Sequence, residues 1–126
     1  MSRLNIEQER AAKAFEFARA GDKIESYGSN AQKLPMYIKV NGLGNTIAFM
    51  YSKKNKKNPD KAWELLYNQL QEWLENVPHS IIQTELTKKD EFVRIITQLD
   101  SEKYRFATRE VLALSAWLKR FVISEA

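Results

Sequence analysis

Apolar residues recur at three- and four-residue steps along most of the chain, which is the spacing of amphipathic helices. From about Ile6 to Ala20, Ile6, Ala14, Phe17 and Ala18 share one face, behind an Asn5/Gln8 pair spaced as a capping box. Gly21 and Asp22 stop this helix. Lys23 to Tyr27 reads as a short turn of helix broken at Gly28. Pro35 suits a first helical turn, where its missing N–H costs nothing. Met36, Val40, Leu43, Ile47 and Met50 then form a stripe expected to be buried, ending near Lys53. After a loop, Asn58 as N-cap, Pro59 in the first turn and Asp60 near the positive helix end introduce another helix. Its core face is Ala62, Leu66, Leu70, Trp73 and Val77, and Pro78 ends it.

The connector "HSIIQTEL" has no strong period. Thr87 with Asp90 marks a further start, and Phe92, Ile95, Ile96 and Leu99 give a short amphipathic helix. Asp100 caps the last helix, where Tyr104, Ala107, Val111, Leu114, Leu118 and Phe121 form a long apolar stripe. No segment alternates with period two between hairpin turns. The expectation is an all-α fold: a compact single-domain bundle of about five or six helices over residues 1–126.

Gly42 and Gly44 interrupt the second stripe, and a helical glycine costs on the order of 1 kcal/mol relative to alanine. Either Asn41-Gly42 ends one helix and Asn45 starts another, or the missing Cβ lets a neighbouring helix or ring come close. Close packing is the favoured reading, with Gly42, Gly44 and Ala48 as helix-packing positions. A phosphate-binding glycine loop fits poorly. "NGLGN" has no strand before it and no lysine-serine/threonine after it.

Charge adds a local feature. Lys53 to Lys61 carries five lysines against one aspartate, so the whole net charge of +4 sits there and the remaining fifteen basic and fifteen acidic residues cancel. Lys53, Lys54, Lys56, Lys57 and Lys61 are therefore either a solvated loop or an electrostatic footprint for phosphate. On the last helix, Arg105, Arg109 and Arg120 share one narrow sector with Lys119 close by, opposite the apolar stripe. Ala113 and Ala116 lie between them and leave room for a ligand. Arginine's planar fork matches phosphate oxygens. An ordinary wet face, paired with Glu102 or Glu110, is the competing reading.

Composition excludes several chemistries. With no cysteine there is no disulfide framework, thiolate metal site or cysteine nucleophile. No apolar run reaches membrane-spanning length, and "MSRLNIEQERAAKAF" follows a charged helical pattern rather than a signal peptide's apolar core. The expectation is a cytoplasmic protein with no cofactor, no metal and no small-molecule substrate. His79, the single histidine, has no identifiable orienting partner, which disfavours a nuclease. No persuasive helix-turn-helix spacing supports a DNA-binding regulator.

Two stretches resemble a known family. "LPMYIKVNGLGNTIAFMYSK" is similar to the leucine-proline, asparagine-glycine-leucine and alanine-phenylalanine pattern of the small helical subunit of type III-B CRISPR effector (Cmr) complexes. "LDSEKYRFATREVLALSAWLKRF" resembles that family's tryptophan-leucine-lysine-arginine-phenylalanine ending. The resemblance implies a non-catalytic subunit that stacks in a few copies beside the backbone holding the guide RNA and helps line the target-RNA path. It implies other effector subunits, further copies of the chain and RNA as partners. The lysine cluster then becomes the leading RNA contact, with Lys33, Lys39, Lys88 and Lys89 second in rank. The alternative is a helical protein–protein adaptor with no direct RNA contact, using Tyr37, Tyr51, Trp63 or Trp117.

Overall fold

The computed structural model describes residues 5–78, 80–87 and 90–122. Among these the chain forms seven helices and no strand: α1 (Ile6–Gly21), α2 (Tyr27–Asn41), α3 (Leu43–Lys54), α4 (Lys61–Asn76), α5 (Gln83–Leu86), α6 (Phe92–Thr97) and α7 (Ser101–Phe121). Five are substantial and two, α5 and α6, are short. The all-α expectation holds, with one helix more than the upper count. The stretch expected as one helix up to Lys53 is split, and a single turn appears in the "HSIIQTEL" connector.

α7 is the spine, packing along α1 and α2 and touching α4, while α3 lies on α4 and α2. The core stripes of α4 and α7 fall where helical spacing puts them. Ala62, Leu66, Leu70, Trp73 and Val77 are buried, as are Ala107, Val111, Leu114 and Leu118. Tyr104 and Phe121 close the α7 stripe as half-buried residues. α1 begins with the expected box: Asn5 Oδ1 accepts from the Gln8 N–H at 2.8 Å, and Gln8 Oε1 accepts from the Asn5 N–H at 2.9 Å. α4 is capped by Asp60 rather than Asn58, through a 3.2 Å bond from the Trp63 N–H. α7 is capped by Asp100, which accepts from the Lys103 N–H at 3.0 Å. Thr87 is the C-cap of α5, and α6 starts after Glu91 rather than from a Thr87/Asp90 signal.

The second helix departs most from expectation. It starts at Tyr27, with Gly28 inside its first turn and Pro35 in its interior. Its buried stripe is Tyr27, Ala31, Leu34 and Ile38. Gly28 and Pro35 read as punctuation, yet tertiary packing of this stripe overrides both. Gly42, at φ +82°, ends α2 and its carbonyl accepts from the Thr46 N–H at the start of α3. The helical phase therefore resets at Gly42. Leu43, Ile47 and Met50 are buried as expected, whereas Met36 and Val40 are 66% and 75% exposed.

α3 and α6 have no side-chain cap of their own. Each takes one from a distant tyrosine. The Gly44 N–H donates to Tyr104 Oη at 2.7 Å, and the Val93 N–H donates to Tyr67 Oη at 3.0 Å. Both bonds fall at the second residue of the helix, where an N–H has no partner within the helix. Gly44 admits the phenol because a Cβ there would stand 3.3 Å from the Tyr104 oxygen. The two glycines thus divide the two readings between them, a break at Gly42 and a close approach at Gly44. Ala48, expected to share that packing face, is exposed.

Candidate nucleic-acid interface

The lysine cluster sits on the end of α3, the following loop and the first residue of α4. The Asp60 N–H donates to the Lys53 carbonyl at 2.9 Å, which closes the loop and returns Lys61 toward Lys53. Lys56, Lys57 and Lys61 are exposed, and Lys53 and Lys54 are half-buried. Their stems lie on aromatic rings. Lys53 Nζ is 5.5 Å from the Phe49 centroid. Lys54 Nζ is 4.5 Å from that of Tyr67 and donates to Asn68 Oδ1 at 2.8 Å. Such ring contacts hold an ammonium in place without cancelling its charge against a carboxylate.

The second basic feature is the outer face of α7. Arg105, Arg109, Lys119 and Arg120 are all exposed, with Ala116 exposed and Ala113 half-buried between them. Arg120 stacks its guanidinium 5.1 Å from the Trp117 centroid, and Trp117 stacks in turn on Phe121 at 5.9 Å. Glu110 does not pair with this face. It is buried and receives two hydrogen bonds from Arg10 of α1, at 3.2 and 2.7 Å. Glu7 binds the other side of Arg10 and accepts from Trp117 Nε1 at 3.3 Å. The Arg10 bond above all holds the Glu7 carboxyl below the usual carboxylate range, with the Trp117 bond second and the charge of Arg120 adding a smaller pull. A charge on the apolar side of α7 was the visible sign of this pair, since Glu110 lies three residues from Ala107 and four from Leu114.

Tyr104 places the start of α7 beside the start of α3, whereas the lysines stand at the far end of α3, roughly 15 Å further on at 1.5 Å per residue. Among the described residues, ion pairs are made by Arg10, Lys13, Arg19, Arg94 and Lys103, and by none of the nine cations of these two features. Lys33 and Lys39 are exposed on α2. Lys88, Lys89 and His79 lie outside the described residues. Of the aromatics considered for partner contact, Trp63 is buried and Tyr37, Tyr51 and Trp117 are half-buried in the chain's own fold. The described residues contain no group of three or more metal-ligating side chains and no helix long and apolar enough to cross a membrane.

The family model described as "CRISPR-associated protein (Cas_Cmr5)" matches residues 6–125. The chain belongs to the Cmr5 family. A crystal structure of a CRISPR-associated Cmr5 family protein from Thermus thermophilus superimposes with a TM-score of 0.69 at 27% identity, covering 94% of this chain and 95% of that one. Cmr5 proteins are small subunits of the type III-B Cmr effector, so this chain's partners are other subunits of that complex.

Proposed function

We propose that this Cmr5 chain is a non-catalytic structural subunit that stacks with further copies of itself in the Cmr complex and lines the RNA path with its two basic features. The observation that carries the reading is that, among the described residues, none of the nine cations makes an ion pair. Acidic side chains hold five other basic residues, while among the described residues none pairs with the lysine loop or the arginine face. Lys61 sharpens the point. It occupies the first position of α4, where the helix dipole repels a cation, so local stability does not explain its charge. Lysines on a closed loop and arginines about one turn apart on a helix suit phosphates, which position RNA without reading its sequence.

Ultraviolet cross-linking of the assembled effector, loaded with guide and target RNA, tests this. RNA-linked peptides are expected from residues 53–61 and 105–120. Cross-links confined to other subunits would remove the RNA role and leave a scaffold. The adaptor reading has its own observation, the exposed apolar pair Met36 and Val40 one turn apart on α2. It predicts that Met36→Glu with Val40→Lys abolishes incorporation into the complex while charge reversal of the lysines is harmless.

A further inference from the structure

The break at Gly42 does more than end a helix. It opens a notch of about 320 Å³ between α2 and α3, lined by Tyr37, Asn41, Asn45, Thr46 and Phe49. That volume lies at the lower end of the range for small-ligand sites, roughly 300–1,000 Å³. We propose that the notch holds an unpaired base of single-stranded RNA, an inference that rests on the RNA-lining role above and gives it a second kind of contact.

The walls are aromatic. Tyr37 and Phe49 meet at 6.1 Å and 78°, forming a corner rather than a closed stack, and Phe49 is 39% exposed. Trp63 stiffens the corner from behind, stacked on Tyr37 at 6.0 Å and edge-on to Phe49 at 5.2 Å. A flat π surface held this way is a stacking platform that tolerates any base.

The floor is polar. Thr46 turns its hydroxyl to the Gly42 carbonyl at 2.9 Å and is satisfied. Asn45 spends one amide hydrogen on the Asn41 carbonyl at 2.9 Å, and its oxygen takes no hydrogen bond among the described residues. The exposed Asn41 amide makes no hydrogen bond among the described residues. Two side-chain amides therefore offer donors and acceptors of the kind found on a base edge. An apolar side chain in the notch would cover these groups without pairing them, which is unfavourable. Lys53 supplies the remaining part. Its ammonium lies over the Phe49 ring, 5.5 Å from the centroid, so a base stacked on that ring has a cation near for its phosphate. Duplex RNA, with its bases stacked inside, has no base to offer.

The full chain, labelled with ¹⁵N, is titrated at low salt with a short single-stranded RNA, an abasic strand of the same length and an RNA duplex. The side-chain amide signals of Asn41 and Asn45 are expected to move with the single strand and not with the other two. Phe49→Leu keeps an apolar filler but removes the ring. It is expected to weaken single-strand binding about tenfold, the scale of losing one stacked base, with its melting temperature and abasic-strand affinity near wild type. Asn41→Ala, at an exposed helix end, gives a second variant whose fold is not in question.

Equal amide shifts with all three ligands, or unaltered single-strand affinity in both variants, overturn the proposal. The lysines then act on phosphate alone and the RNA-lining reading stands. Loss of both variants from the assembled complex with RNA affinity intact means that the notch docks protein, which also overturns it. Failure of the wild-type chain to bind any strand, together with no effect of lysine charge reversal on target binding by the complex, removes both readings.

Discussion

Gly42 and Gly44 stand two residues apart and play different parts. Gly42 supplies a left-handed backbone conformation, and alanine fits the space there, since its Cβ would lie 3.6 Å from Tyr104 Oη. Its φ of 82° with ψ of 160° is a region that essentially only glycine adopts, so Gly42→Ala is expected to cost about 1–3 kcal/mol through backbone strain, read as a lower denaturant midpoint with an unchanged m-value. Tyr104→Phe removes the cap on the Gly44 N–H and is expected to cost about 1 kcal/mol. Gly21 is the most constrained of the three. A Cβ there would fall 2.3 Å from the Tyr27 ring. That ring cannot yield easily, because its hydroxyl lies 2.5 Å from Gln69 Oε1 and 3.1 Å from the Phe17 carbonyl, to which Gln69 also donates. Overpacking of this kind costs about 1–3 kcal/mol or more, and since a Cβ at 2.3 Å forces the ring or the backbone to move, Gly21→Ala is expected to lower the thermal midpoint at least as much as Gly42→Ala. The sequence raised the question of the central glycines because they broke a periodic stripe. Gly21 raised none, since a glycine at a helix end is ordinary, and its partner ring lies on another helix.

Helix boundaries were legible where the chain states them locally. Asn5, Asp100 and the stripes of α4 and α7 need only neighbouring residues to be understood. α2 was misread because its core stripe, from Tyr27 to Ile38, runs through Gly28 and Pro35, and because periodicity was carried across a break that resets the phase. The same extrapolation placed Met36 and Val40 in the core. The tyrosine caps on α3 and α6 are contacts across the fold, between residues 60 and 26 positions apart, which no local pattern announces. The α1–α7 pair is of the same kind. Glu110→Ala leaves Arg10 with Glu7 alone in a mostly buried setting and is expected to cost up to about 3 kcal/mol, whereas Arg10→Met combined with Glu110→Leu is expected to be nearly neutral. Urea unfolding of the three proteins checks this. At the N-terminus of α4, Lys61→Glu is expected to gain about 0.3–1 kcal/mol from the helix dipole while weakening RNA binding. A residue that improves stability when reversed and impairs binding is placed there for the ligand.

For the molecule as a whole, two buried phenols set an alkaline limit. Burial pushes the Tyr67 hydroxyl up to about 12, against a smaller opposing effect of the Val93 N–H, and burial pushes Tyr27 higher still. The folded protein holds these protons more tightly than the unfolded chain, whose tyrosines titrate near 10. The stabilisation is complete below about pH 10 and is lost as pH rises through about 12. Tyr67→Phe is expected to flatten that part of the stability profile, although it also orphans the Val93 N–H and lowers stability at neutral pH. Fold class and the two basic features were readable from spacing and charge. That no ion pair among the described residues reaches either feature, with Glu110 held by Arg10 instead, emerged only from the packing of α7 against α1 and of α3 against α4. The most direct test of the RNA-lining role is the salt dependence of target-RNA affinity for the assembled Cmr complex, with and without Lys56→Glu, Lys57→Glu and Lys61→Glu together. Three lost phosphate contacts are expected to lower affinity and make the slope of log affinity against log salt shallower by about 2 per copy. An unchanged affinity and an unchanged slope would contradict the account.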